Sequence, residues 1–205
     1  MKQQVSTWKF GATAALLVAL ACVAAAPAQA FEVAGVNFKP QTQAKGTTLQ
    51  LNGAGVRQRS AVPLYTAGLY LEEKASTAEE ALMNQGAKQL RVVMLRELNS
   101  RDFGELLSRG LVGNSSDAQL SKLIPEIMDL GTLIAQHGKL KPGDSFVIDW
   151  SATQGTTIRV HERSRRKPAI EVFAKPDLIG ALMRIWLGEN PADAGLKAAL
   201  LGKAV

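Results

Sequence analysis

Two residues of this chain could hold a charged group between them, Arg57 and Tyr65. They lie in the stretch Leu51 to Glu73, LNGAGVRQRSAVPLYTAGLYLEE, which reads as two strands folded back on each other. Ser60, Ala61, Val62 and Pro63 form the turn region, and Pro63 cannot donate to a central ladder position. Beyond the turn, Tyr65, Ala67, Leu69 and Leu71 take one face of a strand, and Leu64, Thr66, Gly68 and Tyr70 take the other. Pairing about Ala61 sets Arg57 directly across from Tyr65, and opposite residues of an antiparallel pair share a face. A guanidinium is a planar cationic fork that matches a carboxylate with two hydrogen bonds. A neighbouring phenol can donate a third. A polar clamp at one end of an apolar slot is the usual form of a small-molecule pocket. The bland alternative is an arginine paired with an acid at a strand edge and a tyrosine with its hydroxyl in water.

Other chemistry is thinly represented. The chain has no hydrolase elbow, Walker loop, dinucleotide fingerprint or HExxH. His137 and His161 stand far apart and read as surface or capping residues, so no metal or other cofactor is expected. Asp144, Asp149 and Glu162 read as residues of a turn and of solvated strand faces. The basic run Arg163-Ser164-Arg165-Arg166-Lys167 reads as a solvated hairpin turn. Its functional alternative is contact with anionic lipid or an acidic partner. Without interleaved aromatics it is no nucleic-acid patch. Trp150 and Trp186 read as core or cleft-wall residues. The formal net charge of +6 includes two leader lysines, so the remaining excess is mild.

Residues 1–30 read as a secretory signal peptide. Lys2 and Lys9 are followed by an apolar run from Ala12 to Ala26 and by the small-x-small site Ala28-Gln29-Ala30. The run is shorter than the ~20 residues of a membrane span, so no transmembrane segment is expected after cleavage. Lipoprotein processing at Cys22 is the weaker alternative, with Ala19 rather than Leu three residues before it. Cys22 is the only cysteine, so thiol catalysis and disulfides are excluded from residues 31–205. These read as one domain, located in the periplasm or secreted. No internal repeat or linker divides them.

Phe31 to Phe38 reads as a first strand, and Gly46 to Asn52 continues into the hairpin, with Gly53 and Gly55 loosening the chain. Ser76 or Thr77 caps a short helix. Leu90 to Leu98 is a strand, and Asn99 or Ser100 caps a helix with Phe103, Leu106, Leu107, Gly110 and Leu111 on one face. Ser115 to His137 is helical, with Leu120, Leu123, Ile124, Ile127 and Ile134 as its stripe and Pro125 breaking it or starting its second half. After the KPGD turn come strands Ser145–Trp150, Thr156–Glu162 and Ala169–Phe173. Asp177 caps a helix, and Asn190-Pro191 opens the last one. Strands dominate the first third and helices group in the middle and at the end. That order predicts α+β, an antiparallel sheet covered on one face by a helical layer.

GAGVR followed by LYTAGLYLEE resembles the opening hairpin of the chalcone isomerase-like family, and LMRIWLGENPADAGLKAALLG resembles the closing helices of its bacterial exported branch. The resemblance implies an open-faced β-sandwich with a ligand cleft between sheet and helices. In the plant enzymes of this family an arginine, a threonine, a tyrosine, an asparagine and a late hydroxyl residue serve the closure of a chalcone. On the resemblance, the arginine falls on Arg57, the threonine position on Tyr65, the tyrosine on Phe103, the asparagine on Gly110 and the hydroxyl residue on Ile179. Only the arginine is kept. Each oriented donor lost costs on the order of 10²–10³ in rate, so no catalytic residue is assigned. A non-catalytic branch holds a fatty acid's carboxylate with an arginine and a tyrosine, which Arg57 and Tyr65 resemble. The hairpin is shorter here, so Arg59 is a second candidate for the family arginine.

The expectation is a binding protein for a small lipophilic carboxylate such as a fatty acid, held by Arg57 and Tyr65 in a cleft lined by Phe103, Gly110 and Ile179. The alternatives are an isomerase acting on a chalcone-like or other unsaturated ketone, and a protein-interaction module of the cell envelope. Nothing in the sequence specifies the oligomeric state.

Overall fold

Three tight two-residue turns build the first part of the fold in this computed structural model, which describes residues 31–203. The signal-peptide reading of residues 1–30 lies outside the described residues. Strands β1 (Phe31–Val33) and β2 (Val36–Phe38) are joined at Ala34-Gly35. β3 (Gln41–Ala44) and β4 (Thr47–Arg59) are joined at Lys45-Gly46, and β4 turns into β5 (Val62–Leu71) at Ser60-Ala61. Both residues of each turn have positive φ, the pattern whose twist matches that of the flanking strands. Phe31 to Phe38 is therefore a small hairpin and not the single strand its alternation suggested.

The chain continues through α1 (Ala78–Met83), β6 (Lys88–Met94), β7 (Leu98–Asn99), α2 (Ser100–Val112), α3 (Asp117–Lys122), α4 (Ile124–Ala135) and β8 (Lys139–Leu140). It closes with β9 (Ser145–Ser151), β10 (Gly155–His161), β11 (Ala169–Phe173), α5 (Asp177–Leu187) and α6 (Ala194–Leu200). Thr77 caps α1 in a reciprocal capping box, and Asn99 caps α2. Pro125 sits in the first turn of α4, where its missing N–H costs nothing. The last helix starts later than expected. Asp193 caps it by accepting from the Leu196 N–H, whereas Asn190 is tied to Asn114 and Gly113.

The main sheet has seven strands in the order β11-β10-β9-β6-β5-β4-β3, every neighbouring pair antiparallel. Helices α2, α4, α5 and α6 cover its inner face, where Leu69, Leu90, Val92, Ile148 and Ile158 meet Leu107, Leu133, Leu182, Ile185 and Leu196 in one buried core. The architecture is the expected α+β one. The sheet curls, so that Lys45 at the β3–β4 turn bonds Thr157 of β10. A smaller apolar cluster lies on the outer face, where the β1–β2 hairpin folds over. There the Phe38 ring fills the space that a side chain at Gly68 would need, 2.5 Å from its would-be Cβ.

Two bulges set the register of β4 against β5. Asn52 is extra between the pairs Leu51–Tyr70 and Gly53–Leu69, and its side chain bonds Ala75 and the Leu200 carbonyl. Leu64 is extra between Gln58–Pro63 and Arg57–Tyr65. The turn itself pairs Arg59 with Val62. An unbulged ladder from that turn would set Arg57 opposite Leu64, and the bulge moves it to Tyr65. The same bulge brings Leu64 into the inner core beside Tyr65, where simple alternation puts it on the other face. Gly53 and Gly55 do not loosen this ladder. They admit α6, since a Cβ at Gly53 would lie 2.1 Å from the Ala199 carbonyl oxygen and one at Gly55 2.6 Å from the Ala199 Cβ.

Candidate functional site

Arg57 and Tyr65 face each other on the inner side of the sheet next to α5. The Arg57 Nη1 donates to the Tyr65 hydroxyl at 3.2 Å, and the guanidinium carbon stands 5.5 Å from the Tyr65 ring centroid. A second donor reaches the same oxygen. Trp186 on α5 directs its indole N–H at the Tyr65 hydroxyl, 3.0 Å away. Tyr65 is 1% exposed and Trp186 likewise, whereas Arg57 is half-buried. Burial pushes the Tyr65 phenol above its ordinary pKa; the Arg57 charge and the bonds from Arg57 and Trp186 oppose the rise, and the nearby Asp193 carboxylate adds to it.

Arg57 is not fully used by this cluster. Among the described residues its Nε is buried without a hydrogen-bond partner, and no carboxylate lies within 4.0 Å of its nitrogens. Asp193 is the acid that bears on the cluster, and its two oxygens are committed to the Leu196 and Gln58 N–H groups at 2.9 and 3.0 Å. Arg59, the second candidate for the family arginine, is exposed near the turn and pairs across from Val62.

Phe103, Gly110 and Ile179 stand on the helical side of the sheet, packed into the core, and none of them lines the groove that opens along β4. Phe103 packs edge-on against Phe146 with ring centroids 5.3 Å apart. The space a side chain at Gly110 would take belongs to Ile185, whose Cγ2 lies 2.6 Å from the would-be Cβ. Ile179 is buried in the same core. Close packing has filled the slot expected beneath α2 and α5. A groove of about 1080 Å³ opens elsewhere, along β4 between the β1–β2 hairpin and α6. Phe31, Leu51, Ala54, Val56 and Ala199 make its apolar part, and Val56 and Gln58, the chain neighbours of Arg57, both line it.

The acids read as solvated are in fact buried, because each has dedicated donors. Asp144 accepts from the N–H groups of Arg163 and Lys141, and Asp149 accepts from Gln89 and pairs with Arg159. Glu162 pairs with a buried His137 at 2.5 Å and with Arg165 at 3.1 Å. His137, read as a surface or capping residue, instead pins the β10–β11 turn to the end of α4. No sequence spacing pointed to these pairs, whose partners are brought together only by the sheet. Among the described residues no group of side chains has the makings of a metal site, and no helix is long and apolar enough to cross a membrane.

An antiparallel sheet covered by helices on one face makes the protein an α+β domain. The chain belongs to the chalcone isomerase-like family, whose sequence model matches residues 30–202. No curated protein matches the chain in sequence. Among solved structures, the chain is similar to the fatty-acid binding protein AtFAP1 of Arabidopsis thaliana, with a TM-score of 0.61 and 13% identity, over 82% of this chain and 92% of that one. At that identity the likeness is one of fold.

Proposed function

We propose that the protein binds a lipophilic carboxylate, with a fatty acid as the reference ligand, and performs no chemistry on it. The observation that carries this reading is the incomplete use of Arg57: a half-buried guanidinium with an orphaned Nε, no carboxylate within reach, and Tyr65 fixed beside it. A donor left in that state costs free energy until it gains an acceptor, and the carboxylate of a ligand would supply one. The Tyr65 hydroxyl already accepts two hydrogen bonds, which leaves its own proton to be donated to the incoming carboxylate. The groove along β4 is lined by Val56 and Gln58, the chain neighbours of Arg57, and an apolar tail would find a path along it past Val56, Ala54 and Leu51. Its volume is of the order of known small-molecule sites. The fold is shared with a protein named for fatty-acid binding. Phe103, Gly110 and Ile179 offer no donor where the family's enzymes carry polar groups, which supports binding without turnover.

The same reading places the protein outside the cytoplasm, in the family's bacterial exported branch, on the strength of the leader sequence. N-terminal sequencing of protein from the envelope fraction should begin at Phe31, and an acylated Cys22 would refute this. For the ligand, native mass spectrometry of protein released without detergent should show a bound lipid acid. Calorimetry with palmitate should find Arg57→Ala weaker by roughly tenfold to a hundredfold, as expected for one charge-assisted bond to a desolvated carboxylate. Equal affinity in wild type and Arg57→Ala would make the pair structural and end the proposal.

A further inference from the structure

The β10–β11 hairpin combines two features that neither the core nor the Arg57 cluster uses. Its turn carries Arg163, Arg165, Arg166 and Lys167, all exposed. Its outer strand, at the edge of the sheet, shows Ile170 at 53% and Val172 at 62% exposure. The register explains the second feature. Ala169, Glu171 and Phe173 pair with Val160, Ile158 and Thr156 of the inner face, so Ile170 and Val172 must point outward, beside Arg159 and Thr157. An edge strand that sheds two β-branched apolar residues into water next to a cationic turn is an amphipathic surface. The negative charge of the turn, on Glu162, is drawn inward by His137, and Asp149 on the outer face is buried beneath Arg159. The exposed Glu171 pairs with Ile158 and so lies on the other face of β11, which leaves the cations as the charges presented beside Ile170 and Val172 on the outer face.

We propose that this hairpin docks on an anionic phospholipid bilayer, with Arg166 and Lys167 at the headgroups and Ile170 and Val172 entering the interface. A bilayer uses both features, since headgroup phosphates attract the cations and the acyl boundary takes the apolar pair. A nucleic acid or an acidic protein surface would use the charges and leave Ile170 and Val172 in water. The proposal does not depend on the fatty-acid reading, because none of these residues touches Arg57 or lines the β4 groove.

Flotation of the purified protein with vesicles tests it. Vesicles of equal parts phosphatidylcholine and phosphatidylglycerol should carry the protein upward at low salt, and vesicles of phosphatidylcholine alone should not. One basic residue near such a surface is worth about fivefold in binding, so Arg166→Glu with Lys167→Glu should weaken the partition roughly twentyfold or more. Ile170→Ser with Val172→Ser should weaken it about tenfold with the charges intact. Thermal melts of both variants confirm that they are folded, and all four positions are largely solvated. Absence of flotation by the wild type overturns the proposal. So does full retention by the charge variant. Full retention by the serine variant overturns it too, because the contact would then be one that any polyanion could make.

Discussion

Tyr65 and Trp186 lie 121 residues apart in the chain and meet through a 3.0 Å hydrogen bond from the indole N–H to the phenol oxygen. With the Arg57 bond at 3.2 Å, the hydroxyl works as an acceptor twice over before any ligand arrives. Tyr65 is therefore a structural joint between β5 and α5.

Removing that oxygen should be felt in stability. Tyr65→Phe leaves the Trp186 N–H buried without a partner, at a cost of about 1–3 kcal/mol. Urea unfolding should show this, and Trp186→Phe should lessen the cost of the tyrosine change in a double-mutant cycle. Additive single effects would mean that the indole and the phenol do not share a bond in solution.

Asp193 opposes an anion at this site, because its carboxylate adds to the rise in the Tyr65 pKa. Asp193→Asn keeps a good helix cap for α6 and removes the charge. Palmitate should bind roughly two- to fivefold tighter, the scale of one charge some distance away through a well-screened medium. The loss of an acceptor for the Gln58 N–H should lower stability slightly. Weaker binding in this variant would place the ligand head away from Arg57.

Lys88 gives the fold a pH signature. It is buried under α1, donates to the carbonyls of Ala81 and Asn84, and lies over the Trp150 ring; burial pushes its pKa down to about 8. Between pH 8 and the ordinary value of 10.5 the unfolded chain keeps a proton that the folded chain has released. Stability from this group thus rises with pH across that window. Tyr65 and Tyr70, whose pKa values burial raises, work in the opposite direction above pH 10. Urea midpoints between pH 7.5 and 10 should rise for the wild type relative to Lys88→Met. A flat difference would mean that Lys88 is solvated.

Much of the fold was legible because it is written in local terms. Alternation in LYTAGLYLEE, the apolar stripe of Phe103 to Leu111 and the caps at Thr77 and Asn99 all report contacts made within a few residues of each other. The α+β order of elements follows from them. The Arg57–Tyr65 pairing was legible only because two departures cancel. The turn is centred between Ser60 and Ala61, half a residue from the assumed centre, and the bulge at Leu64 makes up the difference. Alternation carries no mark of a bulge, so the face assigned to Leu64 was wrong while that of Tyr65 was right.

Sequence alone determined which residues could serve as a clamp and the order of most of the helices and strands. Tertiary structure decided what surrounds Arg57 and Tyr65. Ile185 fills the place opposite Gly110, α6 settles on Gly53 and Gly55, and a groove is left along β4 in place of a slot under α2. It also decided that Asp144, Asp149, Glu162 and His137 are buried, since their partners come from other strands and turns. The physical reason is one of range. Periodicity and capping express interactions along a few residues of chain, whereas burial, cavities and the second partner of a polar atom depend on which distant segments pack together.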